Sequence, residues 1–208
     1  MSVRVKICGI NSAAAFDAAV AAGADWVGFV FCDTSPRFVR FDEAAALTAR
    51  HPGGPPRVGL FVAPDDEVVA AALALMQLDA LQLYAPPERI AAIRRRFGVP
   101  VWQPVGVEIA ADLPGERGAA DALLLEAKPP AGADRPGGHA RRFDWSLLRG
   151  WAAPGPWLLG GGLAPDNVAA AIRESGATAV DVSSGVESRR GVKDPALIRA
   201  FIAAARAA

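Results

Sequence analysis

Short apolar runs rich in Val, Leu, Ile and Phe alternate along this chain with alanine-rich stretches of helical character, and that alternation restricts the fold more than any other feature. The runs predict strands near Val3–Cys8, Asp25–Phe31, Arg57–Val62, Asp79–Tyr84, Val101–Val105, Asp121–Glu126, Pro156–Gly160 and Thr178–Ser183. Helices are expected near Ser12–Ala22, Phe41–Arg50, Pro64–Gln77, Pro86–Phe97, Phe143–Arg149, Pro165–Ser175 and Asp194–Ala207. The stretch around Ala110–Arg117 is polar and holds Gly and Pro, so the helix after the fifth strand is expected to be weak or replaced by a turn. Near-continuous apolar strands are those of a parallel sheet covered on both faces. Gly23 and Gly176 stand where helices end, and Asp194-Pro195 reads as a cap followed by a first-turn proline.

A doubly wound open sheet and a closed (β/α)₈ barrel both satisfy this alternation. Eight strand runs of similar length, with no Gly-x-Gly-x-x-Gly fingerprint after the first, favour closure into a single barrel domain over residues 1–208. The segments AGADWVGF and SGATAVDV match loosely, a hint of internal repetition.

Formal net charge is zero, and no basic stretch is long enough for a nucleic-acid footprint. No apolar run reaches membrane-spanning length, and no secretory signal pattern opens the chain. The cysteines, Cys8 and Cys32, do not make a disulfide framework. A cytoplasmic protein, acting as a monomer or homodimer without nucleic acid or membrane partners, is expected.

In a barrel of this kind function sits at the C-terminal strand ends. After strand one, period-two alternation puts Lys6 and Cys8 on one face, toward the interior. Cys8 there is either a base or nucleophile, or a buried small hydrophobe. Alternation points Asp181 inward too, so an interior Lys6–Asp181 pair is expected, keeping Lys6 charged and biasing Cys8 towards thiolate. Arg37, in the Pro-stiffened Ser35-Pro36-Arg37 loop, has the planar fork that suits a carboxylate. Glu126 ends strand six after three leucines, where partial burial makes a proton donor of a carboxyl. The strongest signal is Gly160-Gly161-Gly162 after strand seven with Ser183-Ser184-Gly185 after strand eight, the loops that hold phosphate in many barrels.

Taken together, VKICGI, AGADWVGFVF with SPRFV, LLLEAKPP with PGG and FDW, LLGGGLAPDNV and DVSSGVESRRGVKDP resemble the phosphoribosylanthranilate isomerases of tryptophan biosynthesis, in order and over nearly the whole chain. The resemblance implies a (β/α)₈ barrel that performs an Amadori rearrangement on a small phosphorylated substrate, with no cofactor and no metal. It implies Cys8 as general base at ribose C2 and Glu126 as general acid at the ring oxygen. It further implies Arg37 on the anthranilate carboxylate, Asp181 positioning the substrate, and Gly161, Gly162, Ser183, Ser184 and Gly185 on the phosphate. The family's acid is an aspartate, so Glu126 is one methylene, roughly 1.5 Å, longer, and misplacement by about 1 Å can cost on the order of 10²-fold in rate. Strand four, usually ending Gln-Leu-His-Gly, here reads Gln82-Leu83-Tyr84-Ala85. Ala63 stands for a frequent Asn, and Gly137-Gly138-His139-Ala140 replaces the usual loop after strand six. A divergent paralogue that binds a phosphorylated, carboxylate-bearing ligand with altered or no isomerase chemistry is the alternative.

Overall fold

The computed structural model describes residues 2–130, 132 and 141–208, and the departure at Gly137–Ala140 lies outside them. Eight parallel strands close a barrel in sequence order: β1 (Arg4–Cys8), β2 (Trp26–Val30), β3 (Arg57–Val62), β4 (Ala80–Tyr84), β5 (Val101–Val107), β6 (Ala122–Ala127), β7 (Trp157–Leu159) and β8 (Ala179–Val182). The α-helices around it are α1 (Ala13–Ala21), α2 (Phe41–Thr48), α3 (Asp66–Leu75), α4 (Pro87–Phe97), α5 (Val168–Ser175) and α6 (Pro195–Arg206). Among the described residues no helix is long and apolar enough to cross a membrane.

The local causes are those the sequence carries. Ser12 and Asp194 cap α1 and α6 by accepting from backbone N–H groups, and Pro195 opens α6. Gly98 and Gly176 end α4 and α5 in the left-handed region. Along α6 the buried Ile198, Phe201, Ile202 and Ala205 recur at helical spacing and form its inner stripe. Each large side chain among them stabilises the packing by about 1.5–3 kcal/mol over an exposed one.

Two expectations are corrected. The helix expected at Phe143–Arg149 is one 3₁₀ turn, Trp145–Leu148, opened by the Asp144 side chain and followed closely by Gly150 at φ 75°. That leaves too few residues for an α-helix to form its repeating bonds. Between β8 and α6, where no element was expected, lie a 3₁₀ turn (Ser184–Val186) and an antiparallel hairpin, β9 (Glu187–Arg189) with β10 (Val192–Lys193). The turn after β5, Ala110–Asp112, is also 3₁₀, in line with a weak helix there.

The barrel interior is stratified. At its N-terminal end Trp26 and Trp102 meet edge to face, with Arg4 over Trp26. Val58, Ala80, Ala122, Leu124, Leu158 and Ala179 complete this apolar cluster. Above it a polar layer holds Lys6, Gln82 and Asp181, all buried. Register pairs Lys6 with Asp181 and Cys8 with Gly28, so Cys8 rises above Lys6 toward the open end. Apolar packing thus closes one end and leaves ionisable groups to the other.

Candidate active site

A cavity of about 930 Å³, counting its open mouth, lies over the C-terminal strand ends. Cys8, Arg37, Glu126, Asp181, Gly161, Gly162, Ser183 and Ser184 all line it. Eight of the residues singled out from the sequence therefore share one space. Of the nine residues that the resemblance assigns to the site, Gly185 is the exception: it packs behind the lining, where a Cβ would stand 1.8 Å from the Leu163 carbonyl oxygen. Its lack of a side chain lets the loop after β8 close against the loop after β7.

The Lys6–Asp181 pair is present. The Lys6 ammonium donates to Asp181 Oδ1 at 2.8 Å and to Gln82 Oε1 at 3.0 Å. Burial pulls Lys6 down, but Asp181 and Cys8 outweigh it and push it up to about 12. Lys6 therefore stays charged. The expected bias of Cys8 towards thiolate is exerted by Lys6 but is overridden by burial. Burial pushes the thiol up, and although Lys6 pulls it down, burial and the negative Asp181 prevail. At the thiol Lys6 outweighs Asp181, and desolvation overrides both.

Glu126 is pushed up to about 7, chiefly by burial, against a hydrogen bond from Tyr84 that pulls it down. The Tyr84 hydroxyl donates to Glu126 Oε1 at 2.9 Å. A carboxyl with that affinity for its proton is suited to proton donation near neutral pH.

Arg37 is held from several sides. Gly9, at φ 77°, lets the arginine stem cross where a Cβ would come within 2.7 Å of its Cδ. Its guanidinium engages Glu187 in a two-point contact, Nε to Oε1 at 2.6 Å and Nη2 to Oε2 at 3.1 Å. Lys193 reaches the same carboxylate at 2.9 Å and also donates to the Ser183 carbonyl at 2.7 Å. Glu187 and Lys193 thus tie the arginine to the loop after β8. Sequence reasoning assigned them no role, since their contacts depend on the β9–β10 hairpin.

Gly28 was also missed. A Cβ there would sit 3.0 Å from Cys8 Sγ and 3.2 Å from Lys6 Nζ, so the lysine and thiol share room that only glycine leaves. A glycine inside a strand pattern was the available signal. Arg141, lining the cavity beside Gly161 and Gly162, is a further cation that sequence reading passed over.

Residues 5–204 match the sequence model of the N-(5′-phosphoribosyl)anthranilate (PRA) isomerase family. The chain belongs to that family. It is 56% identical over 205 residues to the N-(5′-phosphoribosyl)anthranilate isomerase of Acidiphilium cryptum, covering 99% of both chains. Among solved structures it resembles phosphoribosyl anthranilate isomerase from Thermotoga maritima, with 36% identity, a TM-score of 0.86, and coverage of 99% of this chain and 100% of the other. A phosphoribosyl anthranilate isomerase in complex with reduced 1-(o-carboxyphenylamino)-1-deoxyribulose 5-phosphate superposes with a TM-score of 0.83 at 35% identity over 99% of this chain and 100% of that one. Two of the departures from the family pattern are physical neighbours: Tyr84 and Glu126 are hydrogen-bonded to each other.

Proposed function

We propose that this chain is the isomerase of tryptophan biosynthesis that converts N-(5-phosphoribosyl)anthranilate to 1-(2-carboxyphenylamino)-1-deoxyribulose 5-phosphate. The observation that carries the reading is that Cys8 and Glu126 line one cavity with Arg37 and with the glycines and serines of the loops after β7 and β8. The substrate has one carboxylate and one phosphate, and the reacting atoms lie between them.

The phosphate is held by Gly161, Gly162, Ser183 and Ser184, with Gly185 keeping the two loops in contact. Arg37 receives the anthranilate carboxylate, and Asp181 positions the sugar while fixing Lys6. Glu126 gives its proton to the furanose ring oxygen as the C1–O bond breaks, and the anthranilate nitrogen lone pair forms the C1=N bond. Cys8, as thiolate, removes the C2 proton, giving an enolamine. Protonation at C1 and loss of the O2 proton complete the ketose, with no net change in composition.

Since Cys8 titrates above Glu126, the reactive combination of glutamic acid and thiolate is a minor tautomer of the carboxylate–thiol form. The two carry the same charge, so the reactive fraction is constant between the two pKa values.

The test is the decay of substrate fluorescence in the purified protein. Wild type is expected to turn the substrate over, and Cys8→Ala to abolish turnover. Undiminished turnover in Cys8→Ala overturns the mechanism. A cytoplasmic monomer or homodimer acting on a free small molecule is part of the same reading.

A further inference from the structure

Tyr84 ends β4 with its main chain and its side chain both engaged. Its carbonyl accepts from the Ala63 N–H at 2.9 Å, and Ala63 adopts the left-handed region, φ 42°, in making that contact. Its hydroxyl reaches Glu126 Oε1 at 2.9 Å, and both residues line the cavity. On the other side, the loop after β7 backs the stem of Glu126: a Cβ on Gly161 would stand 3.2 Å from Glu126 Cβ. The longer acid is therefore held at its stem by a loop and at its tip by a phenol.

A neutral carboxyl has one carbonyl oxygen, which accepts, and one hydroxyl oxygen, which donates. With Oε1 taken by Tyr84 as the acceptor, the acidic proton belongs on Oε2. We propose that Tyr84 is the positioning residue of the general acid, fixing Oε1 so that Oε2 delivers the proton to the substrate's ring oxygen. The proposal rests on the isomerase reading above. In the step the Glu126 O–H bond breaks, a new O–H bond forms on the ring oxygen, and that oxygen keeps the C1–O electron pair. The Tyr84 O–H bond stays intact throughout. It becomes charge-assisted once Glu126 is a carboxylate, so it is stronger after the transfer than before.

The charged and titratable groups around Glu126 among the described residues are Tyr84 on β4, Lys6 and Cys8 on β1, Asp181 on β8, and Arg141 at the cavity wall. Burial, with Glu126 beside it, holds the Tyr84 phenol well above its usual range, so it remains a donor at working pH. The acid-side limb of the kcat/KM profile belongs to Glu126, because Cys8 titrates higher.

Tyr84 is the only tyrosine in the chain, so biosynthetic replacement of tyrosine by 3-fluorotyrosine alters this one phenol. Fluorine makes it a stronger donor with almost no change of shape. Tyr84→Phe removes the donor and keeps the ring. In Tyr84→Phe, kcat is expected to fall about ten- to a hundredfold with KM within about threefold, and the acid-side limb to move to higher pH. In the fluorinated protein the limb is expected to move to lower pH at unchanged melting temperature. Opposite movements are the signature of a bond to the titrating acid, which a merely structural tyrosine would not produce. The fluorinated protein keeps the test decisive even if Tyr84→Phe does not fold. Full turnover in Glu126→Gln defeats the reading of Glu126 as acid and the proposal with it. Loss of turnover in Glu126→Gln, with the limb unmoved by fluorination, overturns the proposal alone.

Discussion

At the residue scale the site is governed by burial acting on ionisable groups. Burial raises Glu126 to about 7 and also raises Cys8, against the pull of the neighbouring Lys6 charge. On the proposed roles of Cys8 and Glu126 the pH dependence has a definite sign. Below pH 7 Glu126 is already protonated, and the rate grows with the thiolate fraction as pH rises. Above about 7 the loss of glutamic acid cancels the gain of thiolate, and kcat/KM levels off. It falls only beyond the thiol's own raised pKa. A stopped-flow or steady-state profile is expected to show this plateau beginning near pH 7, and Glu126→Asp to shift its acid-side limb. A profile that declines from pH 7 upward would mean that Cys8 titrates below Glu126. Cys8, Glu126, Arg37 and the glycines after β7 were legible because each stands at or just beyond a strand end in a recognisable local string. Glu187 and Gln82 were not, because Arg37 and Lys6 are distant in sequence, and Lys193 was not, because its contacts depend on the β9–β10 hairpin.

At the element scale a device recurs ahead of every second strand up to β6. Asp25, Asp79 and Asp121, just before β2, β4 and β6, accept from the backbone N–H of Val5, Arg57 and Val101 at 2.7, 2.7 and 2.9 Å. Each aspartate N–H also donates to the carbonyl of the same residue on the preceding strand. Before β8 the corresponding position is Thr178, which is where AGADWVGF and SGATAVDV part. The clamps form a two-strand rhythm at the end opposite the site, distinct from the loose match of the β2 and β8 segments. Asp79→Ala is expected to destabilise by about 1–2 kcal/mol, since it leaves the Arg57 N–H without its partner. Urea unfolding measures it, and kcat should be unchanged because the clamp lies at the far end of the barrel. An unaltered unfolding midpoint would mean that water replaces the clamp at no cost.

At the scale of the whole molecule the barrel is closed by its two ends. β1 pairs with β8, and α6 brings Arg206 to Ser2, to the Val3 and Gly23 carbonyls, and to Asp25, so the last helix is anchored to the chain's start. The Arg206–Asp25 pair is partly exposed, so its charge contributes little, and most of the effect lies in the carbonyl contacts. Arg206→Ala is expected to cost about 1–2 kcal/mol, a fall of roughly 3–6 °C in melting temperature for a domain of this size. Thermal unfolding with the enzymatic assay run in parallel checks this: activity at 25 °C should hold while the melting temperature drops. An unchanged melting temperature would show that strand pairing alone secures closure.

The sequence by itself determined the layered barrel, the order of its strands and the strand ends at which chemistry gathers, because periodicity and turn residues act over a few positions of chain. It was wrong about the last turn before β7 and silent on the β9–β10 hairpin, where short segments are shaped by what they pack against. Only the tertiary structure decided the balance of burial and charge at Cys8 and the hydrogen bond that Glu126 accepts. Whether Cys8 is thiol or thiolate, and which oxygen of Glu126 is held, depends on burial and on partners from β1, β4 and β8. Those are three-dimensional distances, and no local string of residues encodes them.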